Sequence, residues 1–354
     1  MTTSTPEDQS ENILNICFNQ DTSCFAYSGN TGFTVYRSDP FRQSIKRIFN
    51  GGIGIVSMLF RCNIMALVGG GKNPEFSPNK VMMWDDHSQK SIGELIFRSP
   101  VKSVKLRRES IIIALEYRTY IYNFSDLKLK NTIHTISNPN GLVSISITST
   151  SNAIATLGTT KGSIRIENYQ TNKTHIINAH ESDISCLNLT DNGKYLATAS
   201  SLGTIIRIWD TYNGQKLQEF RRGTEQATIY SLIFSRDNKY LASSSNTGTI
   251  HVFKLKTNAD RYSELYNLST NNKQDKITNS TSSLSLFKGY LPQYFSSEWS
   301  FVQFRLKHEK IFISFTEENH KLLAISDDGH FYKISIIFEK NTCICKEEEH
   351  FVFS

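Results

Sequence analysis

Two segments of this sequence repeat each other, and the repeat restricts the folds open to the chain. Residues 189–200 (LTDNGKYLATAS) are echoed at 234–245 (FSRDNKYLASSS), and each copy continues into a Gly-Thr-Ile unit, at Gly203 and at Gly248. Short alternating apolar segments separated by polar turns are typical of β-strands. A four-stranded repeat of about 40–45 residues is the pattern of a β-propeller blade, and the Trp-Asp pair at 209–210 is the dipeptide of a WD-type repeat.

Weaker copies of the repeat predict further blades along the chain. First strands are expected to end near Phe18, Phe60, Leu106, Ile147, Leu189, Phe234 and Phe304. Seven first strands predict an all-β, seven-bladed propeller of the WD-repeat type. Because a blade cannot cover its own apolar faces, the blades must stack in a ring, and residues 1–354 are expected to form a single domain.

One spacing between repeats is stretched by an insert at about 256–287, rich in Asn, Ser, Thr and Lys. This composition predicts a long mobile loop in blade six. Its apolar side chains either pack back on the blade or enter the headgroup region of a membrane as an insertion loop. They are Tyr262, Leu265, Tyr266, Leu284, Leu286 and Phe287.

The composition and charge of the chain are compatible with an anionic partner but do not identify it. The formal net charge of +6 permits a membrane surface or a nucleic acid. Residues 1–12 are polar, so no secretory signal is predicted, and the longest aliphatic run, 111–115, is too short to span a bilayer. We therefore expect a cytoplasmic protein whose membrane contact is peripheral.

The six cysteines are scattered without a C-x-x-C pair, which is typical of reduced thiols in a cytosolic protein. Cys343 and Cys345 are the closest pair, and alternation would place both on one strand face without two further ligands. The sequence therefore predicts no metal site.

Two adjacent arginines, Arg221 and Arg222, stand between Phe220 and Gly223 at the junction of the fifth and sixth repeats. Neighbouring residues of an extended segment point to opposite sides, so each arginine can enter a different pocket. A guanidinium group matches two phosphate oxygens at once, which favours a phosphate ligand. The alternative interpretation is a solvated basic pair at a strand end.

The repeated Gly-Thr-Ile units supply polar residues on either side of the arginine pair. In the first copy Thr204 and Arg207 can reach the edge, and in the second copy Thr249 and His251 lie two apart on one face. Hydroxyls and arginines together can bind phosphate. A histidine adds charge only when protonated, so affinity is expected to rise as the pH falls through the sixes.

The motif at 220–223 and the segments 199–207 and 291–301 resemble the PROPPIN or WIPI family of β-propellers, which bind phosphoinositides in autophagy. Three segments between residues 58 and 86 are similar to the shorter branch of that family, which contains the human proteins called WIPI three and WIPI four. The resemblance runs from blade one to blade seven.

The resemblance implies two lipid headgroup pockets on the propeller rim. The first would use His180, Thr198, Ser200, Thr204, Arg207 and Arg221. The second would use Arg222, Ser245, Thr249 and His251, with a basic residue from the following loop, Arg261 or Lys288. The ligand implied is a 3-phosphorylated phosphoinositide, either the 3-phosphate or the 3,5-bisphosphate, on phagophore, preautophagosomal and endosomal membranes. The lipid is a ligand and not a substrate, and no cofactor is implied.

The resemblance also implies a protein partner, the bridge-like lipid-transfer protein of autophagy. That partner would bind the surface near blades two and three, including the loop at 69–80. The chain itself is expected to be a monomer in solution.

Other functional classes are less compatible with the sequence. The Gly-Gly-Gly-Lys run at 69–72 lacks the spacing glycine and the following Ser or Thr of a phosphate loop, and no catalytic arrangement can be singled out, so we predict no enzyme. The basic residues between Arg98 and Arg108 lack interleaved aromatics, which argues against a nucleic-acid partner. The remaining alternative is a scaffold that binds proteins without lipid specificity.

Overall fold

The computed structural model describes residues 12–257, 260–261, 278–280, 297–339 and 342–353. Its strands form seven sheets, one for each predicted blade. Blades one and two contain β1 (Ile13–Phe18), β2 (Cys24–Gly29), β3 (Gly32–Ser38), β4 (Phe41–Ile48), β5 (Ile53–Met58), β6 (Ile64–Gly69), β7 (Lys80–Asp85) and β8 (Lys90–Ile96). Blades three and four contain β9 (Ser103–Leu106), β10 (Ser110–Ala114), β11 (Arg118–Asn123), β12 (Leu129–His134), β13 (Val143–Ile145), β14 (Ala153–Leu157), β15 (Ser163–Asn168) and β16 (Lys173–Asn178).

The remaining three blades complete the propeller. Blade five contains β17 (Ile184–Leu189), β18 (Tyr195–Ser200), β19 (Ile205–Asp210) and β20 (Lys216–Arg221). Blade six contains β21 (Ile229–Phe234), β22 (Tyr240–Ser245), β23 (Thr249–Lys254) and β25 (Val302–Arg305), and β24 (Glu298–Trp299) pairs in parallel with β20 at the edge of blade five. Blade seven contains β26 (Ile311–Phe315), β27 (Lys321–Ser326), β28 (His330–Phe338) and β29 (Cys343–Val352). The predicted all-β, seven-bladed fold is confirmed.

One strand assignment from the sequence is wrong. Phe304 lies in β25, the fourth strand of blade six, whereas the first strand of blade seven is β26. The insert interrupts blade six between its third and fourth strands, so the strand after the insert must complete that blade before the next one begins. The alternating pattern of 302–305 is that of any half-buried strand and does not reveal its position in the blade.

The first strands of neighbouring blades contact one another around a central channel of about 510 Å³. Apolar clusters fill the space between blades. Between blades five and six the rings of Phe220 and Phe253 stack with centroids 4.7 Å apart, and both side chains are fully buried. Phe220 therefore anchors the end of β20 in the core and fixes where the two arginines that follow it emerge.

The ring closes by side-chain packing between blades one and seven. The rings of Phe25 and Phe331 stack at 5.4 Å, and those of Phe41 and Phe351 at 4.3 Å. The Thr22 hydroxyl also donates a hydrogen bond to the carbonyl oxygen of Phe315, at 3.0 Å. Blades one and seven each consist of four consecutive strands, so closure does not require the two chain ends to share a sheet.

Most of the predicted insertion loop at 256–287 lies outside the described residues. This holds for its six apolar members, Tyr262, Leu265, Tyr266, Leu284, Leu286 and Phe287, so their proposed membrane contact stays a prediction. Over the described part of the chain, no helix is both long and apolar enough to cross a membrane.

Candidate functional site

The two adjacent arginines are buried and contact different groups. Arg221, the last residue of β20, is 3% exposed, and its guanidinium carbon lies 6.0 Å from the ring centroid of Trp299. Arg222 is 6% exposed; its Nε donates a hydrogen bond to the carbonyl oxygen of Gly203 at 3.0 Å, and its Nη2 donates to that of Glu225. These contacts do not fit a solvated basic pair and agree with the predicted divergence of the two side chains.

Arg207 of the first predicted pocket is held by a carboxylate that the sequence analysis did not assign. Its Nε donates to Glu219 at 2.9 Å and its Nη1 donates to the carbonyl oxygen of Ala179 at 2.6 Å. Glu219 also accepts a hydrogen bond from Ser297 at 2.9 Å. Burial opposes ionisation of Glu219, but the hydrogen bonds from Arg207 and Ser297 outweigh it and lower its pKa. Glu219 therefore orients Arg207 and partly neutralises it.

Two other members of the first pocket form a hydrogen-bonded chain inside blade five. His180 Nε2 lies 3.0 Å from the Thr198 hydroxyl, which also accepts a hydrogen bond from Trp209 Nε1 at 3.0 Å. Thr198 is fully buried, and its predicted contact with a headgroup stays a prediction. The Thr198 hydroxyl ties the connection between blades four and five to the third strand. Ser200 is also buried, at 5% exposed, while Thr204 is half-buried at the rim.

The second predicted pocket lies beside the turn between β22 and β23. His251 is 5% exposed, and its Nδ1 lies 3.1 Å from the hydroxyl of Ser300. The Ser245 hydroxyl is buried and lies 2.9 Å from that of Thr247. Thr249 is half-buried at the start of β23, two residues from His251 and on the same face.

A basic residue that the sequence analysis missed completes this face. Arg305 is exposed and pairs with Thr249 across β23 and β25. Side chains of directly opposed residues share a sheet face, with Cβ atoms about 4.5–5.5 Å apart. Arg305 was missed because the sequence analysis placed its strand, which also contains Phe304, in blade seven instead of blade six.

Arg261, one of the two residues predicted to complete the second pocket, lies elsewhere. It follows the C-terminal end of β23, and its guanidinium carbon lies 5.6 Å from the ring centroid of Tyr195. Tyr195 begins β18 whereas the rim turn follows the end of that strand, a separation of roughly 16 Å at the usual rise per residue. This position does not favour the assignment of Arg261 to the second pocket, which stays a prediction. The other candidate, Lys288, lies outside the described residues.

A short segment after the insert contacts both pockets. We call residues 297–300 the bridging segment. Its first residue, Ser297, donates to Glu219, and its Trp299 ring lies over Arg221, both in the first pocket. Its last residue bonds to the histidine of the second pocket. The residues of the two predicted pockets are therefore neighbours on one rim, and the bridging segment contacts both sets.

Comparison with known proteins identifies the family of this chain. Residues 13–341 match the family model described as PROPPIN. The chain belongs to the PROPPIN family. It is 35% identical to Autophagy-related protein 18e of Arabidopsis thaliana over 357 residues, which cover 99% of this chain and 91% of that protein. It is also 32% identical to Autophagy-related protein 18 of Yarrowia lipolytica over 377 residues, covering 94% of each.

Solved structures share the PROPPIN fold. Hsv2 of Kluyveromyces lactis aligns with a TM-score of 0.75 at 22% identity, covering 97% of this chain and 99% of that one. KlAtg21, solved in complex with the coiled-coil of AgAtg16, aligns with a TM-score of 0.74 at 22% identity, covering 97% and 100%. At this identity the structural likeness establishes the fold.

Burial changes the protonation expected of the two pocket histidines in this PROPPIN. The pKa of His180 is lowered from 6.5 to about 4 by burial first and by the charge of Arg207 second. The pKa of His251 is lowered from 6.5 to about 4 by burial and then by Arg222. These lowered pKa values favour neutral rings through the sixes and do not support the expectation that affinity rises there.

The basic residues of blade three do not form one surface in this PROPPIN. Arg107 is 7% exposed and donates to Asn152 at 2.9 Å and to the carbonyl oxygen of Ser151 at 2.8 Å. Lys105 lines the central channel, whereas Arg98 is exposed.

Proposed function

We propose that this PROPPIN is a peripheral membrane adaptor of autophagosome formation that binds 3-phosphorylated phosphoinositide headgroups in two pockets of one rim. The observation that carries this proposal is that Arg221 and Arg222 are adjacent, buried and directed at different groups, Trp299 for Arg221 and the carbonyl oxygen of Gly203 for Arg222. The names of the Arabidopsis and Yarrowia relatives, both autophagy-related proteins, support the cellular process. In this proposal the lipid is bound and released without chemical change.

The first pocket would bind phosphate through Arg221, Arg207 and Thr204. Arg207 is already oriented by Glu219, so little conformational freedom is lost when a headgroup binds. The same carboxylate repels phosphate, which limits the affinity of this pocket. Thr198 and His180 act behind the pocket by fixing the blade that carries it.

The second pocket would bind phosphate through Arg222, Arg305 and Thr249. Among the described residues, Nη1 of Arg222 has no hydrogen-bond partner, while Nε and Nη2 are held by backbone carbonyls. The guanidinium is therefore positioned by one edge and can donate from the other. Arg305 is exposed, lies opposite Thr249 on the neighbouring strand, and would add a second positive charge to the pocket.

Two weak pockets on one rim suit a membrane better than a soluble ligand. A single headgroup contact is expected to have micromolar to millimolar affinity. Once one lipid is bound, binding of the second becomes intramolecular and avidity rises by roughly a hundredfold or more. The protein would therefore respond steeply to the density of phosphoinositide in a bilayer.

Vesicle flotation tests this proposal. Wild-type protein is expected to float with phosphatidylcholine vesicles that carry phosphatidylinositol 3-phosphate and not with plain vesicles. Arg221→Thr with Arg222→Thr should abolish flotation. The control, Arg98→Thr with Arg108→Thr, removes the same charge from exposed positions in the connection to blade three and in blade three itself, and should leave flotation unchanged. Flotation of the rim variant, with an unchanged melting temperature, would refute the site. A wild-type protein that never floats would favour the lipid-independent scaffold.

We also propose the finer assignments that the family resemblance implies. These are recruitment to phagophore, preautophagosomal and endosomal membranes, and binding of the bridge-like lipid-transfer protein through the loop at 69–80. The loop backbone is fixed by a bridge between Gly52 and Pro74, and the Phe76 ring lies 6.0 Å from that of Phe49, while Lys72 is exposed. Lys72→Glu should weaken co-precipitation of that partner without changing vesicle flotation. Unchanged co-precipitation would exclude this loop.

A further inference from the structure

Blade seven repeats the rim turn that carries both proposed pockets. In blades five, six and seven, the glycine of this turn has positive φ, at Gly203 (62°), Gly248 (72°) and Gly329 (88°). In each blade the glycine amide donates to the carbonyl oxygen of a serine three residues earlier. The backbone is therefore the same in all three places, but the side chains around the third turn are different.

The third turn is surrounded by histidines and one carboxylate. His308 comes from the connection between β25 and β26, Asp328 from the turn itself, His330 from the start of β28 and His350 from β29. His308 Nδ1 lies 2.7 Å from Asp328 Oδ2, and His330 Nδ1 lies 2.8 Å from His350 Nε2. The potential ligand atoms of His308, Asp328 and His330 all lie within 4.8 Å of one another.

The surrounding contacts hold this cluster in position. His308 Nε2 lies 2.6 Å from the Tyr332 hydroxyl, and the His308 side chain is only 10% exposed. Histidine ligands of metals commonly have such a partner on the second ring nitrogen, which fixes the tautomer and the ring orientation. The rings of Tyr332 and His350 also stack, with centroids 4.3 Å apart. Three imidazoles and a carboxylate thus converge from separate elements.

We propose that this cluster is a binding site for a Zn²⁺ ion, with His308, Asp328 and His330 as ligands and His350 as the fourth. A tetrahedral zinc site has ligand distances of about 2.0–2.2 Å, which puts neighbouring ligand atoms roughly 3.3 Å apart. The separations among His308, Asp328 and His330, from 2.7 Å to at most 4.8 Å, bracket that value, and His350 lies 2.8 Å from His330, so side-chain shifts on the order of an ångström would form the site. Imidazole with carboxylate suits zinc and its neighbours, whereas calcium and magnesium prefer oxygen ligands alone.

The sequence predicts no metal site because only Asp328 and His330 are close in the chain, while His308 and His350 lie 20 residues from them on either side. The ligands come together because β28 and β29 of blade seven lie beside the connection between β25 and β26. The site also adjoins the second pocket, since the amide of Leu306 donates to the carbonyl oxygen of Gly248 at 2.8 Å. A bound ion would therefore stiffen the connection that packs against that pocket.

Zinc titration of tag-free, chelator-treated protein tests the proposal. Wild-type protein is expected to bind one Zn²⁺ per chain by calorimetry, to gain melting temperature with ZnCl₂, and to give the visible absorption of tetrahedral cobalt with Co²⁺. His308→Ala with His330→Ala should weaken binding at least tenfold, and so should the milder Asp328→Asn, which alters a half-exposed side chain.

The matched control is His320→Ala. His320 is exposed and lies 3.6 Å from Glu318, so it offers a histidine beside a carboxylate but belongs to no larger cluster among the described residues. Its loss should leave zinc binding unchanged. The proposal is overturned if wild-type protein shows no saturable zinc binding, if the double variant binds as tightly as wild type, or if His320→Ala weakens binding equally. None of these outcomes depends on lipid binding.

Discussion

The guanidinium carbon of Arg221 lies 6.0 Å from the ring centroid of Trp299. The contact joins β20 to β24, two strands that pair in parallel although the whole insert separates them in sequence. Trp299 is half-buried and Arg221 is only 3% exposed, so the ring covers the arginine from the outside. The bridging segment is therefore part of the first pocket and not only a connection to the last strand of blade six.

Replacing the indole ring should weaken the first pocket selectively. A cation–π contact contributes about 0.5–1 kcal/mol at exposed sites and about 2 kcal/mol when desolvated, so Trp299→Ala is expected to reduce affinity for vesicles carrying phosphatidylinositol 3-phosphate by at least about twofold. Trp299→Phe keeps an aromatic face and should lose less. Equilibrium flotation over a range of lipid densities measures the difference. Equal affinity of the alanine variant and wild type would show that the ring does not position Arg221.

The second pocket can be tested by comparing two arginines. Arg305 lies opposite Thr249 on the pocket face, whereas Arg261 contacts Tyr195 near the other end of blade five. Arg305→Thr is expected to weaken vesicle binding several-fold, because it removes an exposed charge that a headgroup can reach. Arg261→Thr removes the same charge and should change it little. The reverse order in a flotation assay would restore the prediction made from the sequence.

Stability and lipid binding should depend differently on pH. The pKa values of His180 and His251 are about 4 in the folded protein, below the ordinary histidine value of 6.5, so between these two values the unfolded chain binds more protons. Their stabilising contribution is fully present above pH 6.5 and is lost as the pH falls toward 4, with a slope of at most about 1.4 kcal/mol per pH unit for each ring. Urea unfolding across this range measures the slope.

His251→Gln isolates the contribution of one ring. Glutamine can retain a hydrogen bond to Ser300 but does not titrate, so the variant should show a shallower decline in unfolding free energy below pH 6.5 than wild type. Vesicle binding by the wild-type protein should stay nearly constant between neutral pH and about pH 5, because both rings remain neutral there. A steep rise in binding through the sixes would mean that a pocket histidine becomes protonated on the membrane.

The repeat pattern predicts the blades well because each blade carries its own local signals. The glycine turns at Gly203 and Gly248 and the buried anchor Phe220 can all be recognised within one repeat. Phe304 was assigned to the wrong blade because a half-buried strand has the same alternation at every position in a sheet. The position of a strand within its blade is inferred from the strands before it in the chain. Here the insert separates the third strand of blade six from the fourth, so that inference failed.

Side-chain roles in the site were harder to predict because they depend on contacts between distant segments. Glu219 binds Ser297, which lies beyond the insert, so its role as a partner of Arg207 has no local signal. Thr198 has the residue type of a ligand, but its burial beneath Trp209 is set by the packing of the blade. The divergence of the Arg221 and Arg222 side chains could be predicted because alternation along a strand is a local property.

The number of headgroups bound per chain tests the central claim most directly. Calorimetric titration with inositol 1,3-bisphosphate, the soluble headgroup of phosphatidylinositol 3-phosphate, is expected to give two sites for the wild-type protein. Arg221→Thr and Arg222→Thr, made separately, should each leave one site, since the two arginines serve different pockets. A single site in the wild-type protein, abolished by either substitution alone, would contradict the two-pocket rim.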